Sequence, residues 1–154
     1  MVEEGKKAPD FTLPGDGGEK IKLSALKGGP VVLYFYPKDD TPGCTKEAIA
    51  FTGLLKDFEK LDAAIIGVSP DSVAAHDKFI AKHELGIRLA ADADKKVVEK
   101  YGVWVEKSMY GRKYMGVERS TFLIDAKGKV ARVWRKVKVP GHAEAVLDAV
   151  KELA

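Results

Sequence analysis

One apolar run, VVLYFY at residues 31–36, limits the folds that this chain can adopt. The run is rich in β-branched and aromatic residues and is short, which is typical of a strand. Because successive side chains of a strand point to opposite faces, a strand that is apolar throughout needs cover on both faces. The run therefore predicts the central strand of a sheet that lies between other layers.

Strand and helix patterns alternate along the rest of the chain. Strand candidates at residues 10–13 and 20–23 flank the turn signal at 15–18 and predict an N-terminal β-hairpin. The later predicted elements are a helix over 42–61, a strand at 63–68, a helix that opens at 69–72, a shorter helix after Asp92, strands at 120–124 and 130–139, and a final helix after Gly141. We therefore predict an α/β protein with a thioredoxin-like fold, in which helices flank a mixed central sheet and residues 1–154 form a single domain.

Charge and hydropathy exclude several classes of function. The net charge of +3 gives no basis for nucleic-acid binding, and the basic stripe at 132–138 alternates with valines as a solvated strand face does. No apolar run approaches the roughly 18 residues that cross a bilayer, and residues 1–7 contain early acids rather than the apolar core of a secretory signal. A single cysteine allows no intrachain disulfide, which suits a reducing compartment. We expect a cytoplasmic protein without a membrane or nucleic-acid partner.

The only cysteine, Cys44, follows the central strand in the stretch Thr41-Pro42-Gly43-Cys44. Threonine before proline favours a helix start, because the hydroxyl can cap amide groups and proline at the first helical position loses no hydrogen bond. Cys44 then lies at the positive end of the helix dipole, where a thiolate is favoured. A lone cysteine is more often a small buried hydrophobic residue. Here the glycine beside it and the strand-to-helix turn favour a reactive nucleophile.

Three other residues could act with Cys44, although each also has a simpler explanation. Thr41 could serve only as a helix cap, Pro37 could end the strand, and Arg119 could be a solvated surface charge. In the functional interpretation, Thr41 contacts whatever Cys44 attacks and the Pro37 ring shields the sulfur. Arg119 would then stabilise the thiolate and a developing negative charge.

Other motifs give no competing chemistry. His76, His83 and His142 could include the base of a Cys–His hydrolase, but they stand in no recognisable pairing, and we interpret them as surface residues. No Cys or His cluster has zinc spacing, and the glycines at 15–18 and 28–29 fit neither a P-loop nor a dinucleotide fingerprint. We expect no metal and no bound cofactor.

Residues 36–48 resemble the signature of the peroxiredoxin family, with Pro37, Thr41 and Cys44 at the family's Pro-x-x-x-Thr-x-x-Cys spacing. The Pro-Gly pair before Cys44 and Glu47 after it are similar to the bacterioferritin comigratory protein, or peroxiredoxin Q, branch. Further similar segments are residues 67–72, 108–112, 118–122 and 134–142. The resemblance covers nearly the whole chain.

The resemblance implies a thiol-dependent peroxidase that acts on hydrogen peroxide and organic hydroperoxides in antioxidant defence. Cys44 would be the peroxidatic cysteine, which attacks the O–O bond and becomes a sulfenic acid. Thr41, Pro37 and Arg119 would complete the peroxide site. The alternative is a thioredoxin-fold redox sensor or chaperone that forms mixed disulfides through Cys44.

One departure from this branch concerns the second, resolving cysteine. Many members carry it at the position of Ile49, and others at the position aligned with Ile80. Without it, the sulfenic acid must be reduced by an external thiol: thioredoxin, glutaredoxin with glutathione, or a small thiol. The chain therefore resembles a one-Cys enzyme, or one whose resolving cysteine has been replaced, and both a monomer and a homodimer are compatible with it.

Overall fold

The computed structural model describes residues 2–26 and 28–153. Its strands are β1 (Thr12–Pro14), β2 (Lys20–Lys22), β3 (Val31–Phe35), β4 (Ala64–Ser69), β5 (Arg88–Ala91), β6 (Trp104–Met109), β7 (Arg112–Val117), β8 (Ser120–Ile124) and β9 (Val130–Trp134). Its helices are α1 (Pro42–Gly53), α2 (Leu55–Lys60), α3 (Val73–His83), α4 (Lys96–Lys100) and α5 (His142–Leu153). Within the described residues, none of these helices has the length and apolar character that a membrane span requires.

The central sheet has five strands in the order β5-β4-β3-β8-β9. Strands β3, β4 and β5 run parallel. On the other side of β3, β8 pairs antiparallel with β3, and β9 pairs antiparallel with β8. All five residues of β3 are buried. Val31, Leu33 and Phe35 belong to one apolar cluster, and Val32 and Tyr34 belong to a second cluster on the opposite face. The predicted central strand, covered on both faces, is confirmed.

Helices and the N-terminal hairpin supply that cover. The cluster on one face includes residues of the β1–β2 hairpin and of α4, while the other includes residues of α1, α2, α3 and α5. The hairpin forms as predicted, with Leu13 opposite Ile21. The predicted mixed α/β architecture is confirmed.

The predicted helix over 42–61 is two helices. Leu54 lies between α1 and α2 with non-helical torsions, φ −105° and ψ 7°, and its N–H donates to the carbonyl of Phe51. The preceding Gly53 is a poor helix former and weakens the chain there. Phe51 and Phe58 are both fully buried in spite of the break, which explains why the apolar spacing suggested one helix.

Three strands were not predicted, and one is shorter than predicted. Strand β5 contains two alanines, which are weak strand formers. Most side chains of β6 and β7 are exposed, so this hairpin lacks a clear apolar alternation. The return strand β9 ends at Trp134 rather than at Val139, and Lys136 beyond it has a left-handed φ of 48°.

Gly67 of β4 leaves room for the ring of Tyr34, the residue that pairs with it in β3. A Cβ at residue 67 would be 2.7 Å from Cζ of Tyr34 and 2.8 Å from Cδ2 of Leu89, both core side chains. We expect Gly67→Ala to lower the free energy of unfolding by about 1–3 kcal/mol, as overpacking does. Urea denaturation measures this change. Gly53→Ala is the matched control, because a Cβ there meets no atom within 4 Å; equal losses in the two variants would contradict the packing around Tyr34.

Candidate active site

Cys44 lies in the first turn of α1, as predicted. Pro42 is the first residue of this helix, and the N–H of Thr45 donates to the carbonyl of Thr41 at 2.9 Å. The first turn contains no acidic residue, so the positive end of the helix dipole remains available to a negatively charged sulfur. Cys44 is only 2% exposed. Its environment therefore combines burial with a positive potential.

Arg119 brings a second positive charge to the sulfur. It directly precedes β8, and because Ser120 pairs with Phe35, it lies beside the end of β3 from which the chain leads to α1. Its Nη2 donates to Sγ of Cys44 at 3.3 Å. A Cβ at Gly43 would approach the same Nη2 to 3.1 Å, so the glycine leaves room for the guanidinium beside the thiol. Cys44 and Arg119 lie 75 positions apart in the sequence, and the pairing of two strands brings them together.

Glu47, one turn after Cys44, holds the guanidinium from its other side. Nη1 of Arg119 donates to Oε1 of Glu47 at 2.7 Å, and Glu47 is 1% exposed. Oε2 has no hydrogen-bond partner among the described residues. Burial raises the pKa of Glu47 to about 7, although Arg119 acts in the opposite direction. Glu47 is therefore a buried residue that holds Arg119 in place and whose charge changes near neutral pH.

This raised pKa makes stability depend on pH. Between the ordinary value of 4.5 and about 7, the folded chain keeps a proton on Glu47 that the unfolded chain has released. Stability therefore falls as the pH rises through this window. Relative to a Glu47→Gln variant, we expect the free energy of unfolding of the wild type to fall by up to about 3 kcal/mol. Urea unfolding at several pH values measures the difference.

Exposed Glu99 of α4 provides the control. A Glu99→Gln variant is expected to keep the pH dependence of the wild type, because its carboxylate is solvated in both states. If Glu47→Gln also kept that dependence, Glu47 would not be the group that titrates near pH 7.

The structure corrects one part of the prediction for Thr41. Thr41 occupies the N-cap position, but its side chain caps no amide of the helix. Its hydroxyl instead donates to the carbonyl of Lys38 at 2.8 Å. The hydroxyl oxygen keeps its lone pairs and can accept a hydrogen bond from a ligand. Pro37 is half-buried in the same loop, directly after β3; its shielding of the sulfur stays a prediction.

The interpretation of the histidines as surface residues is wrong for two of the three. His76 is fully buried and His142 is 7% exposed. His142 contacts Oγ1 of Thr121 at 2.8 Å, and burial together with Arg119 lowers its pKa to about 4, so it is neutral near pH 7. The spacing of His76 to Phe79 on one face of α3 was a signal of its burial. Across the described ranges, no histidine bonds to Cys44, and no group of three or more His, Cys, Asp or Glu residues could hold a metal ion.

The chain is similar to known proteins over most of its length. Residues 4–133 match the AhpC/TSA family. The chain is 52% identical to peroxiredoxin Bcp of Bacillus subtilis over 153 residues, which cover 99% of this chain and 98% of the relative.

Solved structures agree with this similarity. A PrxQ mutant of Xylella fastidiosa superposes with a TM-score of 0.94 at 40% identity, covering 99% of this chain and 97% of the other. A structure of the bacterioferritin comigratory protein of Xanthomonas campestris, which concerns its alkyl peroxide reduction activity, superposes with a TM-score of 0.91 at 45% identity, covering 97% and 98%. These neighbours confirm the predicted thioredoxin-like fold. The chain belongs to the AhpC/TSA family and is a peroxiredoxin of the Bcp and peroxiredoxin Q group that lacks a resolving cysteine.

Proposed function

We propose that this chain is a one-Cys thiol peroxidase that reduces hydrogen peroxide and organic hydroperoxides at Cys44 as part of antioxidant defence. The observation that carries the proposal is the 3.3 Å contact between Nη2 of Arg119 and the buried Sγ of Cys44 at the start of α1. Two sources of positive potential meet at this sulfur, the guanidinium and the helix N-terminus. Both favour a thiolate nucleophile and an anionic leaving group.

In the proposed reaction, the Cys44 thiolate attacks one peroxide oxygen, an S–O bond forms and the O–O bond breaks. Cys44 is oxidised to a sulfenic acid, and the peroxide is reduced to water or an alcohol once the departing oxygen takes up a proton. The Thr41 hydroxyl would orient the peroxide by accepting its O–H. Arg119 and the amides around Gly43 would stabilise the charge on the departing oxygen, while Pro37 would shield the sulfur.

The second half of the cycle needs a thiol from another molecule. Cys44 is the only cysteine of the chain. Ile49 is 47% exposed on α1, and Ile80 is half-buried on α3. We propose that an external thiol, from thioredoxin, glutaredoxin with glutathione, or a small thiol, attacks the sulfenic acid and releases water. A second thiol then breaks the mixed disulfide and restores Cys44.

The same requirement supports our proposals on setting and organisation. Free thiols are maintained in reducing compartments, so the cytoplasm is the compartment that we propose. Two apolar clusters share one central sheet, which supports a single domain over residues 1–154. We propose that this domain works as a monomer or a homodimer without a metal, an organic cofactor or a nucleic-acid partner.

Peroxide consumption with dithiothreitol, thioredoxin or glutaredoxin and glutathione tests the proposal. A peroxidase consumes many equivalents of peroxide per chain with at least one of these reductants. Intact-mass measurement after peroxide alone should show one added oxygen on Cys44. Consumption of a single equivalent followed by a stable mixed disulfide would instead support the redox sensor or chaperone.

A further inference from the structure

A buried hydrogen-bonded pair lies under the loop that joins β3 to α1. Oδ2 of Asp39 is 2.6 Å from Nδ1 of His76, and Oδ1 of the same carboxylate accepts a hydrogen bond from the Tyr36 hydroxyl at 2.6 Å. His76 is completely buried in α3, and Asp39 is 9% exposed. Neither residue forms a hydrogen bond to Cys44 or has a role in the chemistry proposed above.

The contacts of His76 determine its protonation. Its second ring nitrogen, Nε2, is 2.9 Å from the carbonyl oxygen of Ala90 in β5. A carbonyl and a carboxylate both accept hydrogen bonds, so both ring nitrogens must donate. A neutral imidazole has only one N–H. With Asp39 as a carboxylate, His76 is therefore an imidazolium, and its contact with Asp39 is a buried ion pair.

This ion pair fixes a loop whose backbone is otherwise unfavourable. The N–H of Asp39 donates to Oδ2 of Asp71 at 2.8 Å, which ties the loop to the segment before α3. The next residue, Asp40, has a left-handed φ of 59°, a conformation that is costly for a residue with a side chain. Thr41 follows, and its hydroxyl donates to the carbonyl of Lys38. The position of Thr41 therefore depends on how Asp39 is held.

We infer that Asp39 and His76 are positioning residues, whose buried ion pair holds the loop over residues 37–41 so that Thr41 meets the peroxide at Cys44. This role rests on the proposed peroxidase function. The pair joins the loop to α3 and β5, so it transmits the rigidity of the central sheet to the substrate contact.

The inferred role predicts a pH dependence with a definite sign. His76 is faced by Asp39 and Tyr36 from the loop side, by Asp71 from the segment before α3, and by the Ala90 carbonyl from β5. Burial lowers the pKa of His76, but Asp39, the Ala90 carbonyl and Asp71 together more than offset this effect, and the pKa lies above its ordinary value. The ion pair is therefore complete below that ordinary value and is lost as the pH rises through the raised one.

The test compares His76→Gln with His83→Gln on the same helix. His83 contacts Asp40 on the outside of the same loop in a partly exposed pair, which contributes little. The measurement is the rate constant for oxidation of Cys44 by hydrogen peroxide, followed by rapid quenching and intact mass. We expect His76→Gln to be slower than the wild type by about tenfold, because misplaced substrate contacts reduce rates strongly, and His83→Gln to match the wild type.

The pH profile separates positioning from a general structural role. Ionisation of Cys44 affects the rate of both proteins in the same way, so its effect cancels in the ratio of the wild-type rate to the His76→Gln rate. We expect this ratio to shrink as the pH rises through the raised pKa of His76. A ratio that stays constant with pH would overturn the inference.

Two further measurements keep the inference testable if His76→Gln does not fold. Asp39→Asn retains an acceptor for Tyr36 but removes the charge, and we expect a similar loss of rate. Nitrogen NMR of the wild-type histidine rings should show both nitrogens of His76 protonated at pH 7; a neutral ring would overturn the inference. A wild-type chain that fails to consume peroxide would overturn the proposed function and with it this role, whereas equal rates in an active wild type and in Asp39→Asn would overturn only the role.

Discussion

A Cys44→Ser variant is expected to consume peroxide no faster than the assay without protein. The serine hydroxyl is almost as large as the thiol but stays un-ionised at neutral pH, so the attacking thiolate is lost. The positive potential from Arg119 and the start of α1 remains, but no nucleophile is left to use it. Since the chain contains no other cysteine, no second thiol can replace the first.

The control for Cys44→Ser is a measurement of its free energy of unfolding, which shows whether the variant is folded. Cys44 is a small buried member of an apolar cluster, and Arg119 can still donate to a serine hydroxyl there, so its replacement by serine should change the free energy of unfolding by no more than about 1–2 kcal/mol. Loss of activity in a folded variant assigns the reaction to the sulfur. Continued turnover by the folded variant would show that peroxide is reduced elsewhere.

An Arg119→Ala variant is expected to react with peroxide about 10²–10³-fold more slowly, the usual consequence of removing one donor that stabilises a transition state. Ionisation of the thiol alone gives a much smaller increase in rate. A free cysteine with a pKa of ~8.5 is about 3% ionised at pH 7, so complete ionisation gains about 30-fold at most. The weaker nucleophilicity of a more acidic thiol removes roughly tenfold of that gain. Most of the rate must therefore come from alignment and from stabilisation of the departing oxygen.

Stopped-flow oxidation by hydrogen peroxide measures this rate, and ultraviolet absorbance of the thiolate measures ionisation in the same samples. We expect Arg119→Ala, and to a smaller extent Thr41→Val, to lower the rate far more than the thiolate fraction. Exposed Arg132 of β9 provides the matched control, since Arg132→Ala removes the same charge from a solvated face. Rates in Arg119→Ala and Thr41→Val that equal the wild-type rate would contradict the proposed roles of both residues.

The periodicity of side chains predicted much of the fold but little of the geometry of the site. The run at 31–36 has no polar residue, and this property alone required a covered central strand. Strand β5 and the β6–β7 hairpin lack such a pattern, because alanines and exposed side chains give no local signal. The start of α1 at Pro42 could be predicted from the sequence, because capping and proline preferences act between adjacent residues.

The contacts of the site depend on tertiary structure. No local rule places Arg119 beside Cys44; the two meet because β8 pairs with β3. From the sequence, the arginine had two interpretations, a surface charge or a partner of the thiolate, and the resemblance to a family favoured the second. The pairing of His76 with Asp39 was missed for the same reason, since the two lie 37 positions apart in the sequence. The Thr41 hydroxyl was assigned to the helix, yet a loop carbonyl competes for it.

Because position 49 is an isoleucine, the catalytic cycle does not need to unwind α1 to form an internal disulfide. Residues 44 and 49 both belong to α1, where five residues of helix separate Cα atoms by roughly 8–9 Å. A disulfide spans no more than about 7 Å between Cα atoms, so a cysteine at position 49 could reach Cys44 only by unwinding the helix. With Ile49, no such cross-link has to form. A mutation that stiffens α1 around position 49 therefore blocks no internal disulfide step, because the cycle contains none; the movement that the cycle still requires is the one that opens Cys44, only 2% exposed, to an external thiol.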